Sequence, residues 1–152
     1  MFHPWSLVIP LLILLPNLLF FKFEPRNMPS EKNSNLFFTI AEGIGRFGVI
    51  LVPLFFTIHL QETYEIIALM GMILSLLLYY FGWGRYFRND REYKLLYSPI
   101  LGILVPLAIS PIVYFLCASV VLHSVYMLIF SVIMAVGHIP SSIREWERSG
   151  IM

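Results

Sequence analysis

Charged residues are scarce in this chain, and their scarcity excludes most classes of soluble protein. Of its 152 residues, 12% are Asp, Glu, Lys or Arg and 59% are hydrophobic, whereas about a quarter of the residues in soluble domains are charged. We therefore predict an integral membrane protein, an all-α polytopic helix bundle that forms a single domain over residues 1–152. A chain of this length leaves no room for a separate catalytic domain.

The sequence also lacks the common signatures of catalysis and metal binding. One cysteine, Cys117, excludes an internal disulfide. We find no glycine-rich phosphate loop, no HExxH or CxxC motif and no serine nucleophile elbow. Five side chains that metals accept have no recognisable metal-site spacing: His3, His59, Glu62, Glu65 and His123. We therefore predict no metal site and no cofactor, and we leave catalytic residues unassigned.

Five apolar runs are long enough, or nearly long enough, to cross a bilayer as helices. The predicted spans cover residues 5–21, 41–60, 64–83, 97–117 and 124–140. Residues 95–140 contain no Lys, Arg, Asp or Glu, and 46 residues exceed one crossing, so we place a turn around His123. Pro106 and Pro111 predict a bend in the fourth span or, alternatively, the broken helix of some transporters.

Basic residues favour one orientation of these five spans. Nine of the ten Lys and Arg residues lie in the loops 22–40 and 84–96 and in the tail 141–152, and the tenth is Arg46. By the positive-inside rule these segments are cytoplasmic, which predicts an external N-terminus and a cytoplasmic C-terminus in the cell membrane. Four spans would break this pattern. Alternating charges in the second loop indicate a solvated surface near lipid, so we predict no nucleic-acid binding.

Two charges interrupt the apolar run 36–60, and they provide the clearest functional clue. Glu42 and Arg46 are four residues apart, which places them on one helix face as an ion pair. Counting back from the end of the run puts the membrane boundary near Ala41, with Arg46 about one turn inside it. The pair is interpreted as an anchor at the membrane edge or, alternatively, as a polar site. Close approach of another helix or a ligand is predicted at Gly43, Gly45 and Gly48.

The predicted topology brings several polar residues to a similar depth on the cytoplasmic side. The candidate polar or ligand site consists of Asn17, Glu42, Arg46 and His138, with Tyr79 and Tyr80 nearby in depth. Either Ser34 or Asn35 is expected to cap the helix that carries the charged pair.

Four short segments resemble parts of an uncharacterised family of small multi-span membrane proteins from Gram-positive bacteria. They are residues 16–19 (PNLL), 23–29 (FEPRNMP), 42–46 (EGIGR) and 137–140 (GHIP). The resemblance implies a membrane location and no particular activity. All four segments fall toward the predicted cytoplasmic side, which favours that side for function.

Three functional hypotheses follow from these patterns. The first is a non-enzymatic accessory or partner-binding membrane subunit, in contact with membrane lipid and with a partner membrane protein or further copies of itself. The alternative is a small oligomeric carrier or channel with a polar site at the cytoplasmic end, formed by Glu42 and Arg46. The third is a lipid-modifying enzyme that uses His138 with Glu42.

Overall fold

The computed structural model describes residues 2–28 and 35–151, and it confirms the all-α class for this part of the chain. The α-helices in these described residues are α1 (Val8–Lys22), α2 (Leu36–Leu51), α3 (Thr63–Arg88), α4 (Pro106–Val121) and α5 (Val125–Ile151). Short 3-10 helices cover Pro4–Leu7, Val52–Phe55 and Tyr93–Leu96. Consecutive α-helices run in opposite directions, so the bundle has a Lys22 end and a His123 end.

Within residues 2–28 and 35–151, four helical segments are long and apolar enough to cross a membrane, which indicates a membrane protein. They are Pro4–Lys22, Leu36–Phe55, Thr63–Arg88 and Val125–Gly150. The second begins and ends five residues earlier than the predicted span 41–60. The third and the last continue beyond the predicted boundaries at 83 and 140, and α5 passes through Pro140 without a break.

The remaining helix, α4, is shorter than the predicted span over 97–117. It starts at Pro106 and has 16 residues, or about 24 Å of rise. Pro106 begins the helix, where a missing N–H costs no hydrogen bond, so the predicted kink at this residue is wrong. The preceding residues form an irregular segment with left-handed backbone at Leu101, Gly102 and Val105. Most of α4 is buried among its neighbours, and the predicted turn around His123 is present.

The helices pack in the order α2, α5, α4, α3, α1. Small residues permit the closest contacts. A Cβ on Gly45 would lie 2.4 Å from the backbone of Met134, and one on Gly137 would lie 2.3 Å from the backbone nitrogen of Glu42. Close approach of a helix at Gly45 is therefore confirmed, whereas no described atom would lie within 4 Å of a Cβ on Gly43, so no described helix approaches it.

Tyrosine hydroxyls attach α1 to the rest of the bundle. Tyr80, Tyr86 and Tyr114 donate hydrogen bonds to backbone carbonyls of Leu12, Phe23 and Ile9, respectively, at distances between 2.7 and 3.1 Å. Tyr86 and Tyr114 are buried, so these bonds satisfy hydroxyls that have lost water as a partner. The first turn of α2 is capped by Asn35, whose side chain accepts from the Phe37 backbone N–H at 3.0 Å. Ser34, the other predicted cap, lies with residues 29–34 outside the described part.

Candidate functional site

Three of the four predicted site residues meet where α2 packs on α5. The Glu42 Oε1 atom lies 2.6 Å from Arg46 Nη2 and 2.9 Å from His138 Nδ1. Glu42 and His138 side chains are 21% and 18% exposed, and that of Arg46 is 50% exposed. One carboxylate thus holds the predicted ion pair within α2 and joins α2 to α5.

The contact between these helices depends on glycine next to the polar side chains. Gly137 precedes His138 and lies against the backbone of Phe38 and Glu42, so the histidine ring is brought within hydrogen-bonding distance of the carboxylate. A larger residue at this position would push α5 away from α2. Helix–helix packing in membranes commonly uses small residues in this way.

The charged pair lies within the helical segment Leu36–Phe55, which is long and apolar enough to cross a membrane. Along this segment, Glu42 lies about 9 Å and Arg46 about 15 Å from Leu36, so the backbone of Arg46 is near the middle of the segment. A charge inside the hydrocarbon core costs about 2.5 to 3.5 kcal/mol on insertion scales, and pairing with Glu42 at 2.6 Å offsets part of this cost.

The Arg46 guanidinium has binding capacity left after it pairs with Glu42. A guanidinium carries five N–H donors arranged as a planar fork. Within residues 2–28 and 35–151, the acceptor in contact with Arg46 is the Glu42 carboxylate, reached through Nη2. Five donors exceed what one carboxylate that also contacts His138 can accept, and half of the Arg46 side chain is exposed.

Asn17, the fourth predicted site residue, does not contact the other three. Its amide nitrogen donates to the Tyr79 hydroxyl at 2.9 Å and to the Ile13 carbonyl at 3.1 Å. These bonds keep Asn17 on the α1 and α3 side of the bundle, whereas Glu42, Arg46 and His138 lie where α2 packs on α5.

Tyrosines near the Lys22 end add polar groups that the sequence did not suggest for the site. The Tyr93 hydroxyl donates to Glu145 Oε2 at 2.9 Å and lies 3.3 Å from the Tyr97 hydroxyl. Burial raises the pKa of Tyr97, with further increases from the charges of Glu145 and Glu42. Arg46 and the bond to Tyr93 lower this pKa. Tyr97 was assigned to the fourth span by hydropathy, although it belongs to the irregular segment before α4.

A second polar cluster lies at the His123 end. The Glu65 side chain is 2% exposed, accepts from the backbone N–H groups of Gln61 and Glu62, and lies 2.6 Å from His123 Nε2. The His123 ring stacks on His59 with 4.4 Å between centroids. Because Glu65 completes the capping box of α3, we interpret this cluster as a structural connection between α3, the α2–α3 loop and the α4–α5 turn.

Comparison of the chain with protein-family models, curated proteins and solved structures finds no match. The resemblance to a Gram-positive membrane family therefore stays a prediction. Functional inference depends on the geometry of the site itself.

Proposed function

We propose that this is a cell-membrane protein with five crossings, an external N-terminus and a cytoplasmic C-terminus. The opposite directions of consecutive helices support an odd number of crossings, with α4 as a short fifth span protected by its neighbours. Among the described residues, Lys22, Arg26 and the basic residues of 84–96 and 141–151 all lie at the Lys22 end. The positive-inside rule then assigns that end to the cytoplasm.

Reporter fusions test this topology. Alkaline phosphatase, which is active outside the cytoplasm, and green fluorescent protein, which fluoresces inside, would be fused separately after Met152. We expect fluorescence without phosphatase activity at this position. The reverse result would contradict the proposed orientation, and fusions in the turn at His123 provide the matched external control.

We further propose that the protein binds an anionic group at Arg46, as a small carrier or an anion-binding subunit. The observation that carries this proposal is a half-exposed arginine near the middle of a helical segment that is long and apolar enough to cross a membrane. A guanidinium fork binds phosphate or carboxylate oxygens through two parallel hydrogen bonds. Glu42 and His138 hold the fork in place, and Glu42 reduces the cost of placing its charge in the membrane.

Calorimetric titration in a nonionic detergent tests anion binding. The probes are inorganic phosphate and dihexanoyl phosphatidylglycerol, a short-chain lipid that shares the phosphate group. Hydrogen bonds to charged groups contribute about 1.5 to 3 kcal/mol, so Arg46→Gln should weaken binding of the preferred probe by about tenfold or more.

Arg88→Gln is the matched control, because it removes one positive charge from the exposed end of α3. It should change the affinity by less than about twofold, since exposed charges are screened by solvent and salt. If the wild type and Arg46→Gln bind each probe with the same affinity, the proposal is refuted.

A partner-binding membrane subunit is the second candidate, favoured by the exposed face of α2. This helix packs on α5, and its opposite face presents large apolar side chains at alternating spacings of three and four residues. They are Phe37, Ile40, Ile44, Phe47 and Leu51. This heptad spacing is the pattern of a helix–helix seam.

Cross-linking within the membrane tests this second candidate. A photoreactive amino acid at Phe47 should form a discrete cross-linked product, whereas one at Leu74, on the exposed face of α3, should label lipid. Identical labelling at the two positions would exclude α2 as a docking face.

A further inference from the structure

We propose that the anionic group bound at Arg46 is a carboxylate in the transmembrane helix of a partner protein, which docks on the face of α2 centred on Gly43. This inference rests on the proposed anion binding at Arg46, and it names the class of partner and the surface that receives it.

One face of α2 combines Arg46 with an open glycine. At 100° per residue, five residues fall within a sector of about 80° and alternate at spacings of three and four, which is the pattern of a helix–helix seam. They are Leu36, Thr39, Gly43, Arg46 and Ile50. The first four are exposed and the last is partly exposed, whereas α2 packs on α5 through its opposite side, at Gly45 and Gly48.

Gly43 leaves room for a partner helix beside Arg46. It precedes Arg46 by three residues, which makes the two neighbours on the helix surface. No described atom would lie within 4 Å of a Cβ on Gly43, although glycine weakens a helix interior relative to alanine. Small residues let helix backbones approach closely in membranes. The α2–α5 contact does not account for this glycine, and a docked helix would.

Charge complementarity defines the chemistry of the partner. The Glu42 Oε1 atom lies 2.6 Å from Arg46 Nη2 and 2.9 Å from His138 Nδ1, so one carboxylate oxygen serves two basic side chains. The Arg46 side chain is nevertheless 50% exposed, and charges inside a membrane generally pair with one another. A partner carboxylate would bind the guanidinium and leave Glu42 to His138. With a proton on His138, the cluster would contain two cations and two carboxylates.

A transmembrane helix delivers a carboxylate to the depth of Arg46. The backbone of this residue lies near the middle of the segment Leu36–Phe55, about 15 Å from Leu36. An Asp or Glu at the centre of a partner's span reaches the same depth, while the apolar residues on either side of it stay in the hydrocarbon. The carboxylate is therefore held next to Arg46 without a route of entry from the aqueous phase.

A second copy of this chain does not complement the face. Copies with the same orientation in the membrane place their Arg46 residues at the same depth, where like charges repel. In the described helices, Glu42 is the carboxylate within a span, and it already contacts Arg46 and His138. The other carboxylates of these helices lie in the first three residues of α3 or the last seven of α5. The partner is therefore a different chain.

Association with synthetic transmembrane helices in phosphatidylcholine vesicles tests the proposal. The probe is an alternating leucine–alanine peptide with lysines at both ends and one aspartate at its centre, so that the aspartate has the same depth in either orientation. The matched control peptide has asparagine at the centre. Resonance energy transfer between labelled protein and labelled peptide measures the affinity. The wild type should bind the aspartate peptide about tenfold more tightly, because a charged contact replaces a neutral one.

Two variants locate the binding on α2. Arg46→Gln should remove the preference for aspartate. Gly43→Leu should weaken binding of the aspartate peptide, because it fills the opening beside Arg46. Gly84→Leu is the matched control, since Gly84 lies on α3 and also has no described atom within 4 Å of an added Cβ. This control should bind the peptide as the wild type does. Circular dichroism and a single symmetric elution peak establish that each variant remains folded.

The outcomes separate this inference from the proposed anion binding. If phosphate or the short-chain lipid binds in an Arg46-dependent manner and the wild type does not prefer the aspartate peptide, anion binding stands and the partner proposal is overturned. If none of these probes shows Arg46-dependent binding, both proposals fail. An undiminished preference for aspartate in Arg46→Gln would overturn the partner proposal. Energy transfer between two labelled copies of the protein that Gly43→Leu abolishes would also overturn it, because a second copy would then occupy the face.

Discussion

Replacement of Gly45 by alanine provides the sharpest test of the α2–α5 contact on which the site depends. The added Cβ would lie 2.4 Å from the Cα and N atoms of Met134, whereas ordinary contacts begin at about 3.4 Å. Backbone atoms cannot rotate away, so the two helices must separate by about 1 Å. Overpacking of this kind costs about 1 to 3 kcal/mol.

Gly43 is the matched control because it lies on the same helix with nothing within 4 Å of the added Cβ. There alanine should stabilise the helix by about 0.5 to 1 kcal/mol, since glycine is the poorer helix former. The same gain applies at Gly45 and offsets part of the steric cost. We therefore expect the two variants to differ in unfolding free energy by about 1 to 3 kcal/mol, with Gly45→Ala the less stable.

Reversible unfolding by sodium dodecyl sulfate in mixed micelles, followed by circular dichroism, measures this difference. Gly45→Ala should also weaken anion binding, because separation of the helices draws His138 away from Glu42, now 2.9 Å from it. Equal stabilities for the two alanine variants would refute the packing described above. So would a less stable Gly43→Ala protein.

Three further predictions concern polar contacts. Glu42→Gln should destabilise the protein by about 1 to 3 kcal/mol, and Glu42→Gln with Arg46→Gln should cost less than the sum of the single changes, as a double-mutant cycle would measure. Asn17→Leu and Tyr79→Phe should each cost about 1 kcal/mol and be non-additive in the same unfolding assay, because they remove the same hydrogen bond. Burial raises the pKa of Tyr93. The neutral Tyr93 side chain therefore stabilises the fold fully below about pH 10, and this stabilisation is lost as the pH rises through the folded-state pKa. When stability is measured at increasing alkaline pH, Tyr93→Phe should lose less unfolding free energy than the wild type.

Hydropathy was sufficient to predict the long helices because their faces are apolar almost all round. In the segment Pro4–Lys22, predicted as 5–21, both boundaries agree within one residue. The method failed for α4, since residues 97–105 are as apolar as a helix. The left-handed backbone at Leu101 and Val105 and the helix start at Pro106 interrupt the chain in a way that hydropathy does not register.

Contacts between polar side chains on different helices were harder to predict than contacts within one helix. The Glu42–Arg46 contact follows from a spacing of four residues on one helix. The bond from His138 to Glu42 requires the register of α5 against α2, and that register is set by Gly137 and Gly45 at the backbone contact. Asn17 has the same predicted depth as these residues but a different direction, because α1 packs on α3.

The position of Arg46 within its candidate span depends on where the helical segment ends. Apolar residues continue to Leu60, so counting from that end places Arg46 one turn inside the membrane. The helical segment instead stops at Phe55, just after Pro53, where His3 and Ser6 donate hydrogen bonds to the Leu54 and Phe56 carbonyls. Counting over Leu36–Phe55 places Arg46 near the middle of the segment, where a charge in hydrocarbon needs a partner such as Glu42. The proposed anion site therefore depends on a helix end that is bound by a residue 50 positions away in the sequence.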